Sequence, residues 1–418
     1  MTQPQTSTNP LRMGYQSLQK LFATTQIAGR PLSWYLSGWR GAGIWLILAI
    51  ALPNFINQSL LNICIGISIY VILALGLNVV VGYAGLLDLG YVAFFVIGAY
   101  VASVFSTGTI YNRNGDPVTI LTLPFWLIIP LGAVIAAFFG VLLGAPTLRL
   151  RGDYLAIVTL GFGEIVPIFF QVTPFFGGNF GATALPIPDI NTPFGVVSLN
   201  SITNLSGFYY LTLFLVVLVI LLTSSLRDSS LGRAWIAIRE DETAAAASGV
   251  NLVRTKLLAF GIGAGMGGLG GVIYALNIFS ISPTNFSFTI SITILTMVVL
   301  GGLGSIPGVI IGAIILQFTD NYILTNLQQT VRDSAFVSGA NSPLAFLAKV
   351  DFNQAKYLFY GMILIAIVLL RPQGLIPDRR RARELRGIGL AAEELSVVGE
   401  ITREEDGEYK APSHGGVQ

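Results

Sequence analysis

The stretch Gly232 to Lys256, GRAWIAIREDETAAAASGVNLVRTK, lies between two long apolar segments and is the one internal run dense in charge. Its basic residues are Arg233, Arg239, Arg254 and Lys256, with Arg227 just upstream, and they stand against Asp228, Glu240, Asp241 and Glu242. Trp235 to Ala247 is alanine-rich with an acidic cluster near its middle, which predicts a short helix. Gly249 is suited to stop that helix and Asn251 to cap the next one. A short polar helix held between two membrane spans is positioned to touch something in the water. A solvated loop that merely joins the spans is the plainer reading of the same composition.

The apolar flanks decide the class. Of 418 residues, 53% are hydrophobic and only 11% charged, with a mean hydropathy of +0.73. Soluble domains carry about 25% charged residues, so the chain reads as an integral membrane protein. Apolar runs fall at about 41–57, 60–81, 85–105, 122–144, 154–171, 208–224, 257–279, 290–300, 306–325 and 357–370. The expected fold is all-α: a polytopic helical bundle of about ten membrane segments, with eight to eleven admissible and some of them short or broken. The run 290–300 ends in GGLGSIPG (Gly301 to Gly308), read as a tight turn into the next span.

Charge placement orients this arrangement. With both ends inside, only Arg113, Arg332, Lys349 and Lys356 of the 23 basic residues face outward, the positive-inside pattern. Three parts follow: a cytoplasmic extension over 1–40, a membrane domain over 41–370, and a cytoplasmic tail over 371–418. Within the membrane domain the charged loop 227–256 lies inside and the Gly/Pro/Asn/Thr-rich loop 172–207, free of Lys and Arg, lies outside. The tail is basic through RPQGLIPDRRRARELR and then acidic, and its end is expected to be disordered. No cleavable signal is evident.

Several chemistries are excluded. The single Cys64 lies in an apolar run and the single histidine, His414, in a polar tail, so neither a disulfide framework nor a clustered metal site is expected. There is no GxxxxGK[ST] loop, HExxH or histidine-based triad, and no cofactor, metal or nucleic-acid partner is expected. A nucleotide-driven machine built on this chain would need its ATPase supplied by another subunit.

The order GR, AIRxxE, then A, G, N, K and AF resembles the cytoplasmic loop of the branched-chain amino acid ABC transporter permeases, the LivM-like family. Gly232, Arg233, Ala237, Ile238, Arg239, Glu242, Ala244, Gly249, Asn251, Lys256, Ala259 and Phe260 carry it. The segments GYAGLLDLGYVAFFVIGAY (Gly82 to Tyr100), LRLRGDYLAIVTLGFGEI and LLRPQGLIP are similar to further family patterns, so the likeness covers about residues 60 to 377. Tyr91 departs from it, standing where relatives often have histidine, and TPFFGGNFGAT matches an outer TGGxxG element only loosely.

The resemblance implies an inner-membrane permease subunit of an ABC importer for branched-chain or other neutral amino acids, working by alternating access. It implies a second, LivH-like permease, two cytoplasmic ATPase subunits and an extracytoplasmic solute-binding protein. It also implies that 232–256 is a coupling element, with Gly232, Arg233, Arg239, Glu242, Ala244, Gly249, Asn251 and Lys256 as its residues. Uptake of urea or short-chain amides by the same architecture is an alternative. A proton-coupled secondary transporter is a more distant one, because it has no need of the 232–256 element.

Within that frame, Glu242 is expected to find a basic or amide partner on the ATPase. Arg239, three residues earlier on nearly the same face, is expected to hold Glu242 or to pair with the ATPase itself. Acids at membrane depth mark a pathway or an internal pair. Asp88 and Glu164 are therefore pathway candidates, with the neighbouring Gly85, Gly90, Gly161 and Gly163; structural hydrogen bonding is the competing reading of both acids. Gly82, Gly85 and Gly90 suit an unwound segment whose adjoining helix N-terminus would bind an anion. The four-residue spacing of Gly261, Gly265, Gly267 and Gly271 suits close helix packing.

Overall fold

The computed structural model describes residues 26–27, 30–31, 38–112, 116–147, 153–185, 187, 190–192, 195–197, 199, 202, 204–326, 358, 360–362, 365, 369 and 374–376. Residues 1–62 and 63–418 form two units. The first holds a ribbon of Gln26–Ile27 with Arg30–Pro31, helix α1 (Gly38–Ala51) and the start of α2 (Gln58–Leu77).

The second unit is helical. After α2 come α3 (Val92–Thr107), α4 (Phe125–Thr147), α5 (Asp153–Val172), α6 (Leu205–Asp228), the short pair α7 (Ser230–Glu240) and α8 (Glu242–Ala247), then α9 (Leu252–Ile278), α10 (Phe288–Gly301) and α11 (Ile306–Phe318). Helices α2 and α11 each run on into one π-helical stretch, Asn78–Tyr83 and Thr319–Leu324. Small ribbons pair Thr109–Tyr111 with Pro117–Thr119, Ala182–Thr183 with Ser280–Ile281, and Ile190–Thr192 with Gly195–Val197.

Among the described residues, seven helices are long and apolar enough to cross a membrane, and two shorter apolar ones occupy Trp45–Asn54 and Val92–Thr107. The chain is a multi-pass membrane protein. The tenth expected segment, 357–370, is helical where described, at Leu358, Tyr360–Met362, Ile365 and Leu369. The acidic tail, the basic run after Pro377 and the loop 327–356 lie outside the described residues.

Helix α9 is the centre of the bundle, packed between α3 and α4. Its glycines explain the closeness. A methyl at Gly271 would overlap the carbonyl of Phe95, one at Gly268 would run into Ala136, and one at Gly261 would lie 2.9 Å from Val141 Cγ2. The four-residue glycine spacing is therefore a packing face. In a bilayer the apolar side chains gain little by leaving lipid for protein, and dispersion contacts between closely approaching backbones take over.

The unwound stretch expected near Gly85 and Gly90 is present: residues 84–91 are non-helical, and α3 starts only at Val92. One expectation changes. The predicted helix over Trp235–Ala247 is two helices, broken at Asp241, whose extended backbone (φ −153°, ψ 111°) ends α7 and begins α8.

Gly271→Val is expected to lower bundle stability by about 1–3 kcal/mol through overpacking. Gly66→Ala, where the added methyl meets nothing within 4 Å, should change it little. Thermal unfolding of the purified permease, followed by size-exclusion chromatography, would register the contrast.

Candidate functional site

The charged element forms an elbow between α6 and α9. Ser229 caps α7 by accepting from Gly232 N at 3.2 Å, and Arg233 Nη1 donates to the Asp228 carbonyl at 3.0 Å. A side chain at Gly232 would collide with the carbonyls of Leu226 and Arg227, so the tight turn out of α6 requires glycine. Trp235, fully buried, donates Nε1–H to the Thr255 carbonyl at 2.8 Å and ties the elbow to the first turn of α9.

Helix α8 is capped at both ends. Asp241 Oδ1 accepts from Thr243 N at 2.7 Å and Ala244 N at 3.0 Å. The amides of Ala244 and then Thr243 hold this exposed carboxyl below the usual aspartate range. At the other end Gly249 N donates to Ala246 O and Val250 N to Ala245 O, with Gly249 at φ +86°, a Schellman stop. Asn251 Oδ1 then accepts from Arg254 N at 3.1 Å and starts α9. The expected stop and cap are both present, and Ala244 lies in α8 as the second amide donor to Asp241.

Glu242 has a partner within this chain. Its Oε1 is paired with Lys256 Nζ, and the lysine side chain is 7% exposed against 36% for the glutamate. Arg239 does not hold Glu242. The break at Asp241 turns α8 away from α7, so the two no longer share a helix face, and Arg239 Nη1 donates to the Gly82 carbonyl. The break thus overturns the expected contact between Arg239 and Glu242.

Arg239 joins three segments. Its stem covers Gly85, where a Cβ would lie 2.7 Å from Arg239 Cγ and where φ is +70°. Its guanidinium stands beside Gly304 in the turn between α10 and α11, and Gly304 N donates to Asn78 Oδ1 at 2.9 Å. Asn78 is fully buried in the π-helical end of α2. Residues 374–376 close the same end, where Leu375 N donates to Leu300 O and Ile376 N to Gly301 O. Sequence reasoning missed this use of RPQGL: Gly374, at φ +74°, backs onto Gly302.

The six pathway candidates are not brought together. Gly85 lies under Arg239. A methyl at Gly90 would overlap the Thr159 carbonyl, and one at Gly163 would lie 2.9 Å from Gly90 Cα, so these two glycines make one close contact between α5 and the non-helical segment. Asp88 is 2% exposed; Oδ1 accepts from Gly90 N at 2.9 Å, and Oδ2 has no hydrogen-bond partner among the described residues. It borders a cavity of about 10 Å³ with Thr147 and Thr159, room for about one water. Gly161 and Glu164 lie on the other side of α5; the carboxylate is exposed and the glycine has open space before it.

Around the start of α3, where an anion site is expected, five amides are bonded within the chain. Leu89 N donates to Thr159 Oγ1, Gly90 N to Asp88, Val92 N to Ser291 Oγ, Ala93 N to Gly90 O and Phe94 N to Tyr91 O. Tyr91 is also structural here, fully buried with its hydroxyl donating to the Gly263 carbonyl at 2.9 Å. At the far end of α3 a larger cavity, about 100 Å³, is bordered by Ser103, Thr107, Tyr111, Phe175, Phe176 and Thr183.

A family model described as branched-chain amino acid transport system / permease component matches residues 59–368. The chain belongs to this permease family. It is a transport subunit rather than an enzyme. It is 36% identical to the Escherichia coli protein named high-affinity branched-chain amino acid transport system permease protein LivM, over 82% of this chain and 75% of that one. A probable LivM from Methanocaldococcus jannaschii is 25% identical, over 74% of this chain and 91% of its own length. The Escherichia coli permease protein LivH is 38% identical over 120 residues, 29% of this chain and 38% of that one. No solved structure matches.

Replacing Glu242 by Ala strands a buried ammonium group. With Glu242 about one-third exposed and partly screened, the expected destabilisation is about 1–2 kcal/mol. Adding Lys256→Met should recover most of it. A double-mutant cycle in thermal unfolding measures the coupling, and additive single effects would disprove the pair's contribution.

Proposed function

We propose that this chain is the membrane-spanning permease subunit of an ATP-driven importer for branched-chain or other neutral amino acids. The elbow α7–α8 is its coupling element. A second, LivH-like permease, two cytoplasmic ATPase subunits and an extracytoplasmic solute-binding protein complete the machine. The names of the curated relatives support the substrate class.

One observation carries the coupling role: the bridge from Arg239 to the Gly82 carbonyl, with its stem over Gly85 and its head beside Gly304. An elbow displaced by closing ATPase subunits pulls directly on the end of α2 and on the α10–α11 turn. From α2 the motion passes into the non-helical segment 84–91 and so to α3 and α5. Local capping at Ser229, Asp241, Gly249 and Asn251 keeps the elbow stiff, so displacement is transmitted and not absorbed as fraying. Alternating access then follows from tilting packed helices about the glycine face of α9.

Orientation follows from the same end of the bundle. Arg227, Arg233, Arg239, Arg254 and Lys256 gather there, whereas 172–207 holds no Lys or Arg, which supports a cytoplasmic elbow with both termini on its side. The segment 173–183, paired through Ala182–Thr183 to Ser280–Ile281, then faces the binding protein.

Arg239→Ala is expected to leave the permease inserted and assembled, to abolish uptake, and to cut substrate-stimulated ATP hydrolysis by at least about tenfold, a loss of roughly 1.4 kcal/mol in coupling. Arg239→Lys should recover only part, because a single ammonium replaces a planar fork. Reconstituted complexes assayed with and without loaded binding protein provide the measurement; wild-type stimulation in Arg239→Ala would remove the bridge from the mechanism. Thiol labelling from outside at Ser230→Cys or Ser413→Cys, in a Cys64→Ala background, would overturn the orientation.

A further inference from the structure

Helix α5 has two opposed faces. One is buried: Thr159 accepts from Leu89 N and Gly163 abuts Gly90. The other is exposed and apolar at Tyr154, Ile157, Ile165 and Ile168, yet it carries the carboxylate of Glu164. Glu164 belongs to the nineteen-residue apolar stretch Tyr154–Val172. It stands about 15 Å from the start and about 12 Å from the end of that stretch at 1.5 Å per residue, near mid-depth in a hydrocarbon core. It has no hydrogen-bond or ion-pair partner among the described residues.

Other exposed faces of the bundle differ. Helix α4 exposes Trp126, Val134, Phe138 and Leu142, and its whole length, Phe125–Thr147, contains no charged residue, as suits contact with acyl chains. Acyl chains cannot satisfy the carboxyl of Glu164, whereas a helix bearing a donor can. Gly161, one turn away on the same face, would meet nothing within 4 Å if it carried a Cβ. Packing within this chain therefore does not require that glycine, and its smallness leaves room for another backbone to come close.

We propose that the face of α5 marked by Gly161, Glu164 and Ile168 is the contact surface for a transmembrane helix of the second permease subunit, which brings a hydroxyl, amide or basic side chain to the Glu164 carboxyl. This rests on the importer reading above and adds the surface and the chemistry of its partner. A second copy of this chain fits worse. A twofold contact centred on this face would set two Glu164 carboxyls against each other at mid-depth, where both could not stay ionised.

The test uses the complex isolated from its own membranes through a tag on this chain, with the photoreactive residue p-benzoylphenylalanine at Ile165 or Ile168 and, as control, at Phe138. Irradiation should give an adduct with a second integral membrane chain of the same permease family from positions 165 and 168 but not 138, identified by peptide mass spectrometry. An adduct between two copies of this 44.7 kDa chain, or adducts with lipid alone at all three positions, would overturn the proposal. Glu164→Leu should reduce the co-purified second permease about fivefold with the chain still inserted, and Glu164→Gln should retain most of it; unchanged recovery with Glu164→Leu would overturn the donor pairing. If the wild-type complex contains a second permease but the adducts fail, only the α5 assignment falls. If it contains none, the importer reading falls first.

Discussion

The non-helical segment 84–91 and the start of α3 are held by hydrogen bonds from two helices distant in sequence. Leu89 N donates to Thr159 Oγ1 of α5, Gly90 N to Asp88 within the segment itself, and Val92 N, at the start of α3, to Ser291 Oγ of α10. A buried backbone amide left unsatisfied would cost on the order of several kcal/mol. The break therefore cannot form unless α5 and α10 are already alongside. In this sense the unwound stretch locks together three helices that are distant in sequence, and it does so with backbone rather than with side-chain packing.

That lock is joined to the polar elbow by Arg239. A guanidinium suits the task because it remains charged and presents a rigid set of donors to carbonyl oxygen. The receiving carbonyl, on Gly82, sits in the π-helical end of α2, where the wider helical turn disturbs the regular ladder. Asn78 in the same turn takes the Gly304 amide, so the elbow, the break and the α10–α11 turn share one hydrogen-bonded junction. Movement at any one of the three segments has a direct route to the other two.

Much of this was legible in the sequence. Apolar runs and basic residues predicted the helical bundle; Gly249 and Asn251 predicted a stop and a cap; the glycine spacing of α9 predicted close packing. Those signals are local, carried by residues within a turn or two of one another. The misses were long-range or conformational. The pairing of Glu242 with Lys256 spans fourteen residues and depends on the Asp241 break, which alanine-rich composition hides because an aspartate is tolerable inside a helix until its side chain takes up its own backbone amides. Likewise Gly90 and Gly163 read as neighbours of candidate acids, but their function is to let two backbones touch. The helix N-terminus read as an anion site has amides claimed from far off in sequence, Val92 N by Ser291, 199 residues away.

The division of α7 from α8 also alters what the elbow can do. A single helix over Trp235–Ala247 would present Arg239 and Glu242 on one face, to one partner. Broken at Asp241, the two side chains serve different structures: Arg239 reaches into the membrane domain at Gly82, while Glu242 neutralises Lys256 at the entrance to α9. The buried lysine needs that neutralisation, since an unpaired ammonium there would favour opening the joint between α8 and α9. On the outside of the elbow, Glu240, Thr243 and Arg254 are exposed. The contact that reaches inward and the groups that face outward are thus different side chains of one short element, so the outer surface can vary without disturbing the bridge to Gly82.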